Sequence, residues 1–296
     1  ADEMLQMGFI DDVEWILGKI PKECQTSLFS ATLPRPIRTI AQKYLNDPEE
    51  ILVEPGTSEL SAIRQRFLMV KGGRKAPALT RILEATVFDG VIVFVKTKSA
   101  TLDVAGILES QGFKAEALNG DMAQNVREKT VERLKSGHID ILVATDVAAR
   151  GLDVDRISHV INYDMPAKAD PYVHRIGRTG RAGRKGEAIL FVSPNERWML
   201  KVIERATKQT VEELTLPSNA EVNAKRADHF KRKVSEILAA EDLGEFQDLI
   251  ETCDGEQDVP ISLIAAALAK MVHGQGPSFL PRENGQPAPR PQRGAP

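Results

Sequence analysis

Short apolar runs alternate with longer amphipathic stretches through the first two thirds of the chain, and that alternation restricts the fold more than any other feature. The strand-like runs lie at 26–29, 51–54, 64–70, 91–95, 115–118, 139–144, 159–163 and 188–192. The stretches at 10–19, 36–45, 76–85, 99–111, 126–136 and 195–207 carry helical periodicity. Strand followed by helix, repeated, is the pattern of parallel α/β units. The expected fold class is therefore α/β, a parallel sheet flanked by helices. Between Glu54 and Ala62 the string Pro-Gly-Thr-Ser-Glu-Leu-Ser is polar and turn-forming, which predicts a linker between two domains.

The chain has 296 residues, 42% of them hydrophobic and 27% charged, with a net charge of -3, values that suit a soluble globular protein of roughly two domains. The acidic balance leaves nucleic acid open as a partner, because binding needs a local basic surface and not a basic total. Lys and Arg gather around 71–75, 96–98, 175–185 and 225–233. Cys24 and Cys253 stand far apart with no CxxC or His cluster beside them, so two reduced, partly buried thiols in a cytoplasmic protein are expected, with no metal or redox role. The apolar stretch 261–271 contains Lys270 and is shorter than the roughly 20 residues a membrane span requires. No signal peptide is visible, and no membrane partner is expected.

Residues 174–184 read His-Arg-Ile-Gly-Arg-Thr-Gly-Arg-Ala-Gly-Arg. Arg175, Arg178, Arg181 and Arg184 recur every third residue, three of them directly after a glycine, so planar cations stand beside unblocked backbone. That combination suits phosphate oxygens, through bidentate forks and through charge neutralisation as a phosphoryl group transfers. The competing reading is a flexible Arg/Gly tether. It is disfavoured because the run precedes a strand-like segment and not a low-complexity tail. Open parallel sheets bind ligands at the carboxyl ends of their strands. Here Ser30-Ala-Thr32, Lys96-Thr97-Lys98, Asn119-Gly-Asp121 and Thr145-Asp146 each follow a strand-like run, so four polar ends are expected on one rim. Taken singly, Ser30, Thr32 and Ser99 read better as helix caps.

Ser30-Ala-Thr32, the run 93–97, Gln124-Asn-Val-Arg127, the run 144–153 and the run 174–184 occur in the order and at roughly the spacing of DEAD-box RNA helicases. Residues 1 to about 210 resemble that family, and within it the bacterial DeaD/CsdA cold-shock type. The resemblance implies a RecA-like fold and an ATP hydrolase that unwinds short RNA duplexes, with ATP and Mg2+ as cofactors. It implies that Arg178 and Arg181 are the fingers that reach the γ-phosphate, that Asp153 holds the ribose, and that Gly151 belongs to the same nucleotide-facing loop. Thr97, Gln124, Arg127 and Thr145 resemble contacts to the RNA backbone, which give affinity without reading sequence. Asp2, Ser30, Thr32 and His174 resemble the polar set that couples two helicase domains, with ordinary capping or core hydrogen bonding as the plainer alternative. Ala1-Asp2 matches the last two letters of the acidic box. The family's Gly-x-x-x-x-Gly-Lys-Thr loop is missing, because Ile20 follows Gly18-Lys19 and no glycine stands at 13. This chain alone is therefore expected to be inactive, a piece cut at both ends of a longer helicase.

The resemblance assigns residues 1–55 to the end of a first RecA-like domain and 56–212 to a complete second one. Beyond it, Ala227, Phe230, Val234, Ile237 and Leu238 form an apolar stripe at helical spacing, and Leu243, Phe246, Leu249 and Ile250 repeat it. Residues 261–272 are apolar around most of the helix, and Ser218 or Asn219 is placed to cap the first segment. A small helical domain over 213–274 is expected, too thin to stand alone, and the DeaD/CsdA resemblance implies homodimerisation through it. Residues 275–296, rich in Pro, Gly and Arg, are expected to be disordered. The alternative to a helicase is a noncatalytic RNA-binding and dimerising scaffold, and a DNA helicase is a third reading.

Overall fold

The computed structural model describes residues 2, 4, 8–21, 23–30, 33, 35–52, 58–71, 73–240, 243–244, 246–248, 250 and 260–273. The chain divides into two compact units, Ala1–Pro55 and Gly56–Pro296. In the first unit, helix α1 (Ile10–Leu17) is followed by α2 (Arg35–Tyr44), which buries Ile37 and Ile40, three residues apart on one face. Glu14 of α1 accepts from Lys43 Nζ at 3.0 Å and from the Tyr44 hydroxyl at 3.4 Å. The strands expected at 26–29 and 51–54 are not formed at 26–29 or 51–52, and 53–54 lie outside the described residues. A strand needs a neighbour to take its backbone hydrogen bonds. None pairs with these runs among the described residues, and Phe29, Ile51 and Leu52 are exposed.

The second unit is a seven-stranded sheet in the order β3-β4-β2-β5-β6-β1-β7. Its strands are β1 (Ile63–Met69), β2 (Gly90–Phe94), β3 (Ala115–Leu118), β4 (Ile141–Ala144), β5 (Ile157–Asn162), β6 (Gly186–Val192) and the short edge strand β7 (Glu212–Glu213), paired in parallel throughout. Strand β2 is buried along its whole length, as a central parallel strand covered on both faces must be. On one face α3 (Lys75–Ala85) and α4 (Lys98–Ser110) pack on Val91, Val93, Ile141 and Ile189. The other face is covered by α5 (Gln124–Lys135), α6 (Ala169–Ile176) and α7 (Arg197–Thr207). The α/β expectation is borne out, with helices on both faces of a RecA-like parallel sheet.

Helix α6 was not among the expected helices. Pro171 sits in its first turn, where a missing N–H costs nothing, and Tyr172 and Ile176, four apart, are fully buried. The connection from β4 to β5 differs from the others, because residues 145–156 contain no regular helix. They lie on the sheet face and bury Ala148, Ala149, Leu152 and Val154 in place of one.

Helix α8 (Asn219–Ala240) starts at a reciprocal cap. Ser218 N donates to Glu221 Oε2 at 2.7 Å, and Glu221 N donates to Ser218 Oγ at 3.2 Å. Its first turns dock on α3: Val222 is fully buried, Arg81 bonds Asn219, and Arg226 Nη2 donates to both oxygens of Glu84 at 2.7 and 2.8 Å. Farther along, Val234, Ile237 and Leu238 of the expected apolar stripe are exposed, as are Ile261, Leu263, Leu268 and Met271 of α9 (Ile261–His273). Ala227 and Phe230 are half-buried, so among the described residues of the stripe its start is the better covered part. The tail at 275–296 lies outside the described residues, as does Cys253. Cys24 is exposed and not partly buried, because it sits in an irregular segment beyond α1. No helix among the described residues is long and apolar enough to cross a membrane.

Candidate functional site

A buried loop that replaces a helix leaves carbonyl oxygens without intrahelical donors, and each needs a partner. Along residues 145–156 arginine side chains supply them. Arg127 Nη2, from the first turn of α5, donates to Ala148 O at 2.9 Å and Arg150 O at 3.1 Å. Arg178 Nη1 donates to Leu152 O at 2.8 Å, and Arg184 Nη1 to Asp155 O at 2.7 Å. The arginine run thus has a structural duty to the loop.

The four arginines of the run are not equivalent. Arg175 is 3% exposed. It forks onto Asp146, with Nε to Oδ1 at 2.6 Å and Nη2 to Oδ2 at 2.8 Å, and its Nη1 reaches Asn162 Oδ1 at 3.2 Å and Asp164 O at 2.8 Å. The guanidinium also stacks 5.2 Å from the Phe94 ring. It therefore ties together the carboxyl ends of β2, β4 and β5 from inside the fold. Arg184 pairs with Asp89 at 2.7 Å just before β2. Arg178 and Arg181 are half-buried and converge on one stretch: Arg178 on Leu152 O, and Arg181 on the Asp153 carboxylate and on Gly177 O at 2.9 Å. Asp153 itself is 81% exposed at its side chain. Gly151, beside it, has φ +70° and nothing within 4 Å of where a Cβ would stand, so a ligand can approach its backbone closely.

Gly180 shows why the run needs glycine. Its φ is +71°, and an added Cβ would lie 2.7 Å from Ile63 Cγ1. The loop is pressed against the amino end of β1. Thr179 Oγ1 donates to Ile157 O, the first residue of β5, at 2.7 Å. The group formed by Arg178, Arg181, Asp153 and Gly151 therefore belongs to the amino-terminal edge of the sheet, opposite the rim where ligand contacts were expected.

Thr97, Asn119 and Thr145 occupy the carboxyl rim. Thr97 caps α4, accepting from Ala100 N at 3.2 Å, so the capping expected of Ser99 falls to Thr97. Thr145 Oγ1 accepts from Ala148 N at 3.4 Å. Gln124, at the start of α5, is exposed and donates to Glu128 at 2.9 Å. Lys98 pairs with Asp121, while Asn119 Nδ2 donates to Thr101 Oγ1 at 3.1 Å. Asp164, which the motifs did not single out, receives Lys75 Nζ at 2.6 Å and Lys96 N at 2.9 Å. A carboxylate just past the end of a buried strand was its signal in the sequence.

The expected fourth member of the rim is a correction. Ser30 lies in the first unit, where its Oγ accepts from Asp2 N at 3.1 Å, and no strand precedes it. Asp2 is buried, Thr32 lies outside the described residues, and His174 is half-buried on α6 in the second unit. Of this set, the structure joins Asp2 to Ser30. Among the described residues no group of three or more His, Cys, Asp or Glu side chains is placed to hold a metal ion.

Comparison with known proteins follows this geometry. The helicase conserved C-terminal domain matches residues 74–183, and the RNA helicase DeaD dimerization domain matches 217–283. The structure of the C-terminal domain of the DEAD-box protein Dbp5 is 33% identical, with 96% of that chain covered, 55% of this one, and a TM-score of 0.51. The chain belongs to the DEAD-box RNA helicase family. The ATP-dependent RNA helicase DeaD of Buchnera aphidicola subsp. Schizaphis graminum is 51% identical over 283 residues, 96% of this chain and 47% of that protein. The chain thus spans about half the length of the curated relatives it matches. Saccharomyces cerevisiae Dbp5 L327V bound to RNA and ADP BeF3 is 30% identical, with a TM-score of 0.66, over 79% of this chain and 60% of that one. The two domain matches cover β2 to β5, both sets of polar residues, α8 and α9.

Proposed function

We propose that this chain supplies the second RecA-like domain of an ATP-dependent RNA helicase, residues 56–212, with residues 1–55 as part of the first and 213–274 as a dimerisation domain. The observation that carries the reading is the convergence of Arg178 and Arg181 on Leu152–Asp153, beside the open backbone of Gly151. A pure scaffold would have no need of it. Asp153 is exposed enough to accept hydrogen bonds from ribose hydroxyls, and Arg181 can exchange a carboxylate for a phosphate oxygen because the two make the same fork. Arg178, held on Leu152 O, keeps its cation at a fixed point, as stabilisation of a developing phosphoryl charge requires.

Bound ATP with Mg2+ would supply the phosphoryl group and the energy of its hydrolysis. This chain contributes the ribose contact and the two cations. The sequence holds no Gly-x-x-x-x-Gly-Lys-Ser/Thr loop, so the chain alone is expected not to hydrolyse ATP. At the other end of the sheet, Thr97, Gln124 and Thr145 face the RNA backbone, and Arg127 holds the loop that carries Thr145. The Dbp5 structure bound to RNA and ADP BeF3 supports RNA and nucleotide as ligands of this fold. Asp2, Ser30, Thr32 and His174 are proposed to pass the nucleotide state between the two helicase domains. The DeaD resemblance supports an activity in the cytoplasm, on structured RNA in the cold or during ribosome assembly.

A homodimer through α8 and α9 is the second part of the proposal. The match to a DeaD dimerization domain and the exposure of Leu238, Leu263 and Met271 favour it. Light scattering at micromolar concentration should give twice the chain mass of 32.6 kDa. A monomeric mass would remove this part. The helicase reading is tested by adding a separately made first domain that carries the phosphate loop, and RNA-stimulated ATP hydrolysis should then appear. Failure, with both halves folded and RNA bound, would favour the scaffold.

A further inference from the structure

Helix α7 turns Met199, Leu200 and Ile203 into the core, and these residues alone explain why it packs. Its outer face is not an ordinary solvated surface. Trp198 is 62% exposed there, with Val202 also exposed one turn on. Arg197, Lys201, Arg205 and the following Lys208 surround them. Residues three and four apart share a helix face, so the indole and the cations form one strip with charges about 6 Å apart along the axis.

The neighbouring acids are engaged elsewhere. Glu196 Oε2 accepts from Ser193 N at 3.0 Å and from Ser193 Oγ at 2.6 Å, closing the cap that starts this segment. Glu204 Oε1 accepts from Val211 N at 3.1 Å. Among the described residues, Arg197, Lys201, Arg205 and Lys208 have no side-chain ion pair or hydrogen bond. A cationic strip that outnumbers the neighbouring Glu204 carboxylate, itself turned onto Val211 N, and that is interrupted by a flat and largely exposed ring, is complementary to a polyanion that also offers flat rings.

We infer that the outer face of α7 is a second contact for single-stranded RNA, distinct from the rim at Thr97, Gln124, Arg127 and Thr145. The inference rests on the reading of the chain as part of an RNA helicase. Phosphates meet Lys201 and Arg205, and a base stacks on Trp198. A duplex fits less well, because its bases are already stacked on each other. An acidic protein surface would satisfy the cations and leave the ring without a stacking partner.

The chain's other tryptophan is Trp15, so Trp15→Phe makes Trp198 the sole indole reporter in the full chain. On titration with a 20-nucleotide oligo(U), about that length to span both contacts, Trp198 emission should fall. Trp198→Ala or the double change Lys201→Glu, Arg205→Glu should weaken binding, followed by anisotropy of a labelled strand, about tenfold. The charge reversal should also abolish the quench and flatten the salt dependence. Gln124→Ala should weaken total binding and leave the quench, which separates failure of the rim from failure of α7. Binding without any change at Trp198 would overturn the inference. So would equal quenching by inorganic polyphosphate, which has no bases, or quenching by polyglutamate and not by RNA, which would mark a protein-docking face. No binding to RNA by either readout would overturn this inference and the rim assignment together.

Discussion

At the carboxyl ends of β2, β3 and β4 the chain turns on short polar side chains, with Thr97 and Thr145 meeting backbone N–H groups and Asn119 bonded to Thr101. At the amino ends of β1, β2, β5 and β6 it turns on guanidinium groups that meet carbonyls and carboxylates. The difference follows from what each edge exposes. Helices begin just past the carboxyl ends of β2 and β3 and present unpaired donors, and the turn after β4 presents Ala148 N; for these a short polar side chain suffices. The helix-free loop from β4 to β5 presents carbonyls over more than one turn's length, and only a long, forked, permanently charged donor reaches them. An arginine-rich motif in such a place is therefore partly a folding device. Arg175 belongs wholly to the fold, whereas Arg178 and Arg181 stand where folding and the proposed nucleotide contact share the same groups.

Breaking the fold's own arginine should have the largest effect on stability. Arg175→Ala leaves Asn162 and Asp146 without their donor and should cost ~3 kcal/mol, read from the urea midpoint. Arg175→Lys should recover little of it, because an ammonium cannot form the fork. Next comes the loop itself: Arg127→Ala strips donors from Ala148 O and Arg150 O and should cost ~1–3 kcal/mol, with hydrogen exchange rising across 148–152. If exchange stays unchanged, arginine is not what holds the loop.

The sheet's amino half also carries an acid-sensitive group. Burial, and then the Arg66 charge, depress the His159 pKa below its usual value, outweighing Asp89, which acts the other way. Glu187 Oε2 lies 3.8 Å away but Glu187 is paired with Arg66, so it gives His159 little help. A depressed folded-state pKa means that the folded form resists protonation. The associated stability is present above the unfolded value, near 6.5, and is lost as pH falls through the folded value. Unfolding midpoints should drop between pH 7 and 5, and His159→Gln should flatten that drop. A smaller effect sharpens the contrast from the carboxyl side, where Thr97→Ala removes one cap and should cost ~1 kcal/mol in the same assay. Arg181→Ala should cost still less, because its pairing with Asp153 is largely exposed.

Much of the fold was legible because β2, β4 and β6 are continuous apolar runs that only a sheet covered on both faces can bury. Helix α6 was obscured by Pro171, which reads as a breaker until its place in the first turn is known. The runs at 26–29 and 51–54 have strand composition, but composition does not supply a pairing partner. In the candidate site, the motif spacing located Arg178, Arg181 and Asp153, but not the division of labour among the four arginines. That division depends on which carbonyls the loop leaves open, a tertiary fact. Trp198 was hidden for a related reason, since an apolar residue inside an amphipathic helix reads as core until the buried face is known.

The most direct measurement of the central claim is RNA-stimulated ATP hydrolysis by the full chain mixed with a separately made first domain carrying the phosphate loop, with Arg178→Ala and Arg181→Ala alongside. Activity in the native mixture that falls by about 10³-fold or more in either variant, with both still folded and still binding RNA, is the predicted result. Native-level hydrolysis in both variants would contradict it, and would leave these arginines as supports of the loop alone.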